Sequence, residues 1–327
     1  MEMRRLAGGG PTISRVGLGM AALGRPAYIT LGHAGDFPEG RDAGSMEMHA
    51  HRMLDHALAA GIHYFDAARS YGRAEQFLRG WIDSRGIKPE QIVVGSKWGY
   101  RYTGEWQVDG RVQEVKDHGL SMLQSQFTES AAILGPYLRL YQIHSAGPET
   151  RVLEDQRVLD ELRRLRDGGL FVGVTATGPR QLDTIRKAIE IHFDGSALFS
   201  TVQATFNLLE RSAEPGLREA HDAGLTVLVK EALANGRLTS KGTEARTEPL
   251  RKIANRLAAP IDAVALAFVA KQPWADVVLS GATKAQQLDS NLRALEVSLS
   301  ADDLQALEPL RVPAREYWAE RARLPWN

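Results

Sequence analysis

The sequence predicts an α/β fold, a closed (β/α)8 TIM barrel preceded by a short N-terminal β-hairpin. Three observations lead there. Apolar runs of strand length alternate with amphipathic stretches, giving eight βα units along 327 residues. The runs lack a clean apolar–polar alternation, as strands buried on both faces do. No glycine-rich phosphate turn follows the first run, which an open doubly wound sheet would usually carry. GLGMAALG imitates that spacing with no clear helix behind it.

The hairpin is expected where MRRL and ISRVGLG flank Gly8, Gly9 and Gly10, residues that tolerate a turn backbone. VGLG then reads as the first barrel strand. A polar, glycine-rich loop over residues 25–45 follows, long enough to suggest a function of its own. A helix is expected over 46–60. Strands are expected over 62–66, 92–97, 138–144, 171–175, 199–204, 226–230 and 276–281. Between them helices are expected over 75–84, 115–134, 158–167, 181–191, 216–223 and 249–271, with a last regular helix over 284–295. Leu159, Leu162 and Leu165 illustrate the three-and-four spacing of a helix with one apolar face. No linker divides the chain, so residues 1–327 are expected to form one barrel domain, with 311–327 an irregular tail.

Composition narrows the functional classes. Forty basic and forty acidic residues balance, and no like-charge run is long, which disfavours nucleic acid or an anionic membrane as partner. No apolar stretch approaches the roughly 20 residues of a membrane-spanning helix, and no apolar segment follows the basic N-terminus as in a signal peptide. With no cysteine, disulfides, thiolate metal sites and a cysteine nucleophile are excluded. A soluble, cytoplasmic protein is the expectation.

The stretch GIHYFDAARSYG carries the first chemical signal. Asp66 ends a strand and Tyr71 lies in the following loop. Taken alone, Asp66 caps the next helix as readily as it serves a site. In a barrel, however, reactive groups gather at the C-terminal ends of strands. Lys97 ends the next strand and His144 the one after. Neighbouring strands are about 4.8 Å apart, so Asp66, Tyr71, Lys97 and His144 fall within reach of one pocket. A phenol titrates near about 10, and a neighbouring ammonium would bring that value down. A carboxylate would hold the ammonium, and an imidazole would orient a carbonyl oxygen. Such a proton relay makes or unmakes an alcohol without a metal, and needs a hydride-donating cofactor to do so.

These residues resemble the aldo-keto reductase family. FDAARSYG, GSKWG, LYQIHS, VQATFN and SGATKAQQLDSN carry the resemblance, in order, from about Arg4 to Leu299. It implies that Tyr71 is the general acid–base, that Lys97 lowers its pKa, that Asp66 pairs with Lys97 and that His144 orients the carbonyl. It also implies a nicotinamide cofactor, NADP(H) generally with NAD not excluded, lying across the barrel mouth. Thr175 and Gln203 would meet the carboxamide, with Met20, Asp66 and Lys230 beside the cofactor. Gly281, Thr283, Lys284, Gln287 and Asn291 would hold the adenosine phosphate, Lys284 meeting a 2′-phosphate. The chain departs from the family at Thr175-Ala176, where many members have Ser-Asn. It departs again at Lys230, often an aromatic position, and at Gln287, often an arginine.

Aromatic residues crowd the loop after Lys97 and recur in the tail. Trp98 and Tyr100 are the expected substrate contacts, suiting an aryl carbonyl or a sugar ring. Subfamilies similar to this chain in their long first loop include aldose and sugar-lactol dehydrogenases. The expected activity is therefore NADP-linked interconversion of an aldehyde, ketone or aldose carbonyl with its alcohol or lactone. Two alternatives stand beside it: a nucleotide-sensing regulatory protein with little turnover, and a Schiff-base lyase using Lys97.

Overall fold

Residues 1–109 and 112–327 are described by a computed structural model. The N-terminal hairpin pairs β1 (Met3–Arg5) with β2 (Thr12–Ser14), turning through Gly8 and Gly9 at positive φ. β3 (Val16–Gly19) opens the barrel. α1 (Ala43–Ala59) is capped by the Asp42 carboxylate, which accepts from the amides of Gly44 and Ser45. β4 (Tyr64–Asp66), α2 (Ala74–Arg85) and β5 (Val93–Trp98) follow. A small antiparallel ribbon of β6 (Tyr100–Tyr102) and β7 (Glu114–Lys116) stands above the rim. Next come α3 (Leu120–Leu134), β8 (Leu138–Ala146), α4 (Gln156–Asp167), β9 (Phe171–Ala176) and α5 (Gln181–Glu190). A two-residue ribbon, β10 (His192–Phe193) with β11 (Ser196–Ala197), lies before β12 (Thr201–Thr205). α6 (Glu214–Asp222), β13 (Thr226–Lys230), α7 (Glu248–Arg256), α8 (Ile261–Ala270), β14 (Val277–Ser280) and α9 (Ala285–Leu292) complete the cycle. α10 (Ala301–Leu307) and α11 (Ala314–Ala322) close the chain.

The eight long-range strands form the predicted closed parallel barrel in the order β12-β13-β14-β3-β4-β5-β8-β9. Register sets the depth of the site. Gly19 pairs with Asp66, Asp66 with Gly95, and Lys97 with Gln142. Strand alternation then divides each strand between lumen and helix layer. On β5, Lys97 enters the lumen. Ser96 turns outward to donate to Glu75 of α2 at 2.5 Å, and Trp98 joins the outer core.

Four expectations need correction. The helix expected from Val115 begins at Leu120, because Val115 belongs to the ribbon opposite Arg101. The helical region 249–271 is two helices bent by 96°, because the chain leaves the first at Ala258, which takes a positive φ, and Pro260 stands as the N-cap of the second. α10 was not expected. Its Ser300–Asp303 capping box, with the serine hydroxyl on the Asp303 amide and the carboxylate on the Ser300 amide, was readable in SADD. The tail is not irregular, because α11 docks a fully buried Tyr317 whose hydroxyl accepts from Asn207 at 3.0 Å. Among the described residues no single helix is long and apolar enough to cross a membrane.

α11 also carries Arg321, whose guanidinium grips Glu231 just beyond β13 through both carboxylate oxygens. Burial alone would raise the Glu231 carboxyl, but Arg321 and then Lys230 bring it down to about 2. A folded value below the unfolded 4.5 means the stabilisation is complete above that pH and disappears as pH falls towards 2. Glu231→Gln is expected to lose roughly 2–3 kcal/mol in urea unfolding at pH 7. Its stability should then fall less steeply than that of the parent between pH 4.5 and 2. A second check concerns the lumen. A methyl group at Gly95 would lie 2.5 Å from the Tyr64 hydroxyl, so Gly95→Ala should cost about 1–3 kcal/mol in the same assay.

Candidate active site

At the C-terminal rim of the barrel, β4 and β5 place Asp66 and Lys97 side by side, 2% and 1% exposed. They form a buried ion pair, and the Lys97 ammonium also donates to the Ala67 carbonyl at 2.9 Å. The second Asp66 oxygen accepts from the Tyr64 hydroxyl at 3.1 Å and from Gln203 Nε2 at 2.9 Å. Every charge in this pair therefore has a directed partner, which a site this dry requires.

Tyr71 stands above the pair in the loop after β4. That loop is fixed from below: Glu75 accepts from Ser96, Ser130 (2.7 Å) and Arg69 (2.7 Å). The Tyr71 hydroxyl lies 3.4 Å from His144 Nε2, and Ser70 Oγ lies 3.4 Å from His144 Nδ1. His144 precedes a bulge in β8, where Ser145 takes a positive φ and its amide donates to Thr175 Oγ1 at 2.6 Å. Tyr100 meets the imidazole edge-on at 4.9 Å, and Arg25 lies 5.2 Å over the Tyr71 ring. The three residues proposed from strand ends, and Tyr71 from the loop after the first of them, thus come together.

Their electrostatics differ from expectation in one respect. Lys97 sits 5.0 Å from the Tyr71 ring centroid with its charge turned to Asp66. Burial, then the Asp66 carboxylate, pushes the Tyr71 phenol well above its ordinary value instead of lowering it. Burial, with Lys97 and Lys230 behind it, holds His144 well below its usual range. At neutral pH the site presents a protonated phenol beside an uncharged imidazole, a proton donor next to a hydrogen-bonding group.

A groove of about 460 Å³ runs from Tyr71 and His144 past Gln203 and Gly281 to Gln287 and Asn291. Its size suits a small ligand or cofactor. Lys230 borders it, donates to Thr205 at 3.0 Å, and is brought down to about 8 by burial. Met20 is buried, as is Thr175, whose hydroxyl oxygen accepts from the Ser145 amide. Trp98, expected at the substrate, is fully buried in the outer core against His118, because its strand turns it away from the lumen. Tyr100 does line the groove. Lys284 reaches the Gly35 carbonyl at 2.8 Å and Asp36 at 3.3 Å. Gln287 accepts from the Thr283 and Lys284 amides at 2.9 and 3.2 Å.

Sequence reasoning missed the residues that the loop 25–45, the ribbon and the tail bring to the rim. Arg25 donates to Glu114 at 2.8 Å and lies 4.8 Å from the Trp326 ring. Glu231, Arg321, Tyr28 and Asp36 complete the set. Their only sequence signal was membership of long segments with no structure assigned.

Comparison with known proteins gives a concordant picture. A model of the Aldo/keto reductase family matches residues 16–311. The aldo-keto reductase YhdN of Bacillus subtilis is 26% identical, over 93% of this chain and 91% of the relative. Protein tas of Escherichia coli is 24% identical, over 80% and 89%. The fold is similar to that of aldo-keto reductase AKR11C1 from Bacillus halodurans in its holo form. The TM-score there is 0.70 at 20% identity, covering 96% of this chain and 97% of the other.

The buried ion pair generates its own check. Lys97→Met would leave the Asp66 carboxylate without an ammonium in a water-excluded site. A loss of about 3–5 kcal/mol in denaturant unfolding is expected.

Proposed function

The chain belongs to the aldo/keto reductase family, and we propose that it interconverts an aldehyde, ketone or aldose carbonyl with the corresponding alcohol or lactone, Tyr71 moving the proton. The family generally uses NAD(P)H. The groove offers such a dinucleotide hydrogen-bonding groups of Gln203 and Asn291 and the small residues Gly19, Ala21 and Ala22 in its lining. When bound, the nicotinamide supplies or accepts the hydride.

The observation that carries this reading is the Tyr71–His144 contact above the Asp66–Lys97 pair. In the reducing direction Tyr71 donates its proton to the carbonyl oxygen as charge develops there, and His144 offers a ring N–H to the same oxygen. A phenol held protonated is the right starting state for that step. The Lys97 ammonium beneath the ring stabilises the phenolate left behind, and Asp66 keeps that ammonium in place. In the oxidising direction the same groups work in reverse.

The rim supports a choice of substrate class. Tyr28, Tyr100 and Trp326 bring aromatic faces beside Arg25, Glu114 and Lys230. Flat apolar faces among paired polar groups suit a hydroxylated ring, so an aldose is the favoured substrate.

Tyr71→Phe is expected to lower kcat by about 10²–10⁴ while dinucleotide binding, followed by nicotinamide fluorescence, stays within a few-fold of the parent. Turnover at the parental rate in that variant would overturn Tyr71 as the proton donor. A panel of free aldoses, aldehydes and ketones, read by nicotinamide absorbance, tests the substrate class.

A further inference from the structure

At the far end of the groove from Tyr71, the loop 25–45 places a carboxylate where the adenosine end of a dinucleotide would lie. Asp36 closes a short 3₁₀ turn, His33–Asp36, and its side chain is 5% exposed. It accepts from Thr283 Oγ1 at 2.8 Å and from Gln287 Nε2 at 3.3 Å, and pairs with Lys241 and Lys284, each at 3.3 Å. Burial pushes this carboxyl up, but Thr283 and Lys241 outweigh it and hold it below its ordinary value, so it is charged at neutral pH. Neighbouring His33 is brought down to about 4 by burial and adds no positive charge.

The two lysines, the hydroxyl and the amide make up the kind of donor set that would hold a phosphate. Here all four are turned on a carboxylate supplied by the chain itself. A 2′-phosphate would bring about −1.5 to −2 charge into that position and compete with Asp36 for the same cations. The loop is not free to withdraw. Leu31 donates to Asn235 O at 3.0 Å, Asn235 Nδ2 donates to Ile29 O at 2.8 Å, and Lys241 donates to Gly32 O at 3.1 Å. Beyond the turn, Trp106 Nε1 donates to Arg41 O at 2.7 Å. A ribose 2′-hydroxyl brings no like charge and needs one Asp36 lone pair, gained by exchange with the 3.3 Å Gln287 contact, whereas a phosphate would have to draw both lysines from the carboxylate. In dinucleotide folds of another architecture, an acidic residue against that hydroxyl marks NAD and a cation there marks NADP.

We propose that Asp36 is a specificity-determining residue that accepts from the adenosine 2′-hydroxyl and repels a 2′-phosphate, so that the chain uses NAD(H) in preference to NADP(H). This rests on the groove being the dinucleotide site. It replaces the sequence-based assignment of Lys284 to a 2′-phosphate, because the Lys284 ammonium is already paired.

Calorimetric titration of the full chain with NADH, NADPH, AMP and adenosine 2′,5′-bisphosphate tests it without reference to turnover. NADH is expected to bind about tenfold or more tighter than NADPH, with the two adenosine fragments in the same order. Asp36→Asn should reduce or reverse that ratio by about tenfold, and adding Lys284→Met should remove the NADPH affinity so gained. NADPH binding as tightly as NADH to the parent overturns the proposal, as does an unchanged ratio in Asp36→Asn. Binding of neither dinucleotide would overturn the dinucleotide reading of the groove, and this proposal with it. If Asp36→Asn fails to fold by circular dichroism, the parental ratios alone decide.

Discussion

The site depends on keeping one ion pair charged where there is almost no water. Asp66 and Lys97 are nearly inaccessible, and charges so placed are costly unless every lone pair and proton is met. Tyr64 and Gln203 satisfy one carboxylate oxygen, while Asp66 and the Ala67 carbonyl take up the ammonium. Tyr64, Asp66 and Ala67 come from β4 and its end, but Gln203 comes from β12 on the opposite side of the barrel, so the full set of partners is assembled only when the barrel has closed. Gly95 contributes by what it lacks, leaving room for the Tyr64 ring to reach Asp66. The phenol above inherits its environment from this arrangement, half-buried at the groove with a carboxylate nearby.

Around that centre, the rim is assembled from segments remote in sequence. Arg25 joins the first long loop to the ribbon through Glu114 and to the tail through Trp326. Arg321 joins the tail to β13 through Glu231. Asn327 exchanges backbone hydrogen bonds with Tyr28 at 3.2 and 3.3 Å. These contacts gather at the rim, with Glu231 reaching back to the wall through Thr205 of β12 at 3.2 Å. They shape the space over Tyr71, and with it what substrate the rim admits.

The barrel and the strand-end residues were legible because both follow from periodicity. Buried parallel strands read as apolar runs, and a polar side chain ending such a run stands out, as Asp66, Lys97 and His144 do. Trp98 was misplaced although the same rule covered it, since two-residue alternation that puts Lys97 inside must put its neighbour outside. The tail helix was hidden because α11 holds its place through Tyr317 and Arg321, not through a broad apolar face. Asp36 was illegible for a deeper reason. Its meaning comes from Lys241, Thr283 and Lys284, and no local pattern links a loop near one end of the chain to a helix start near the other. The direction of the Tyr71 shift likewise needed coordinates, because it turns on where the Lys97 charge points.

The loop 25–45 crosses the groove and is fastened on its far side at Asn235 and Lys241 and near its start at Asn327. A crossing of that kind has a kinetic meaning. A molecule held beneath it would depart only if several of those hydrogen bonds let go together, so its residence time would carry the cost of freeing the loop as well as its affinity for the groove floor. Loop openings run on microsecond to millisecond scales, and in many enzymes they limit the overall cycle. Stopped-flow displacement would then find exit slowed alike for ligands of different strength, that share of the barrier belonging to the strap and not to the guest.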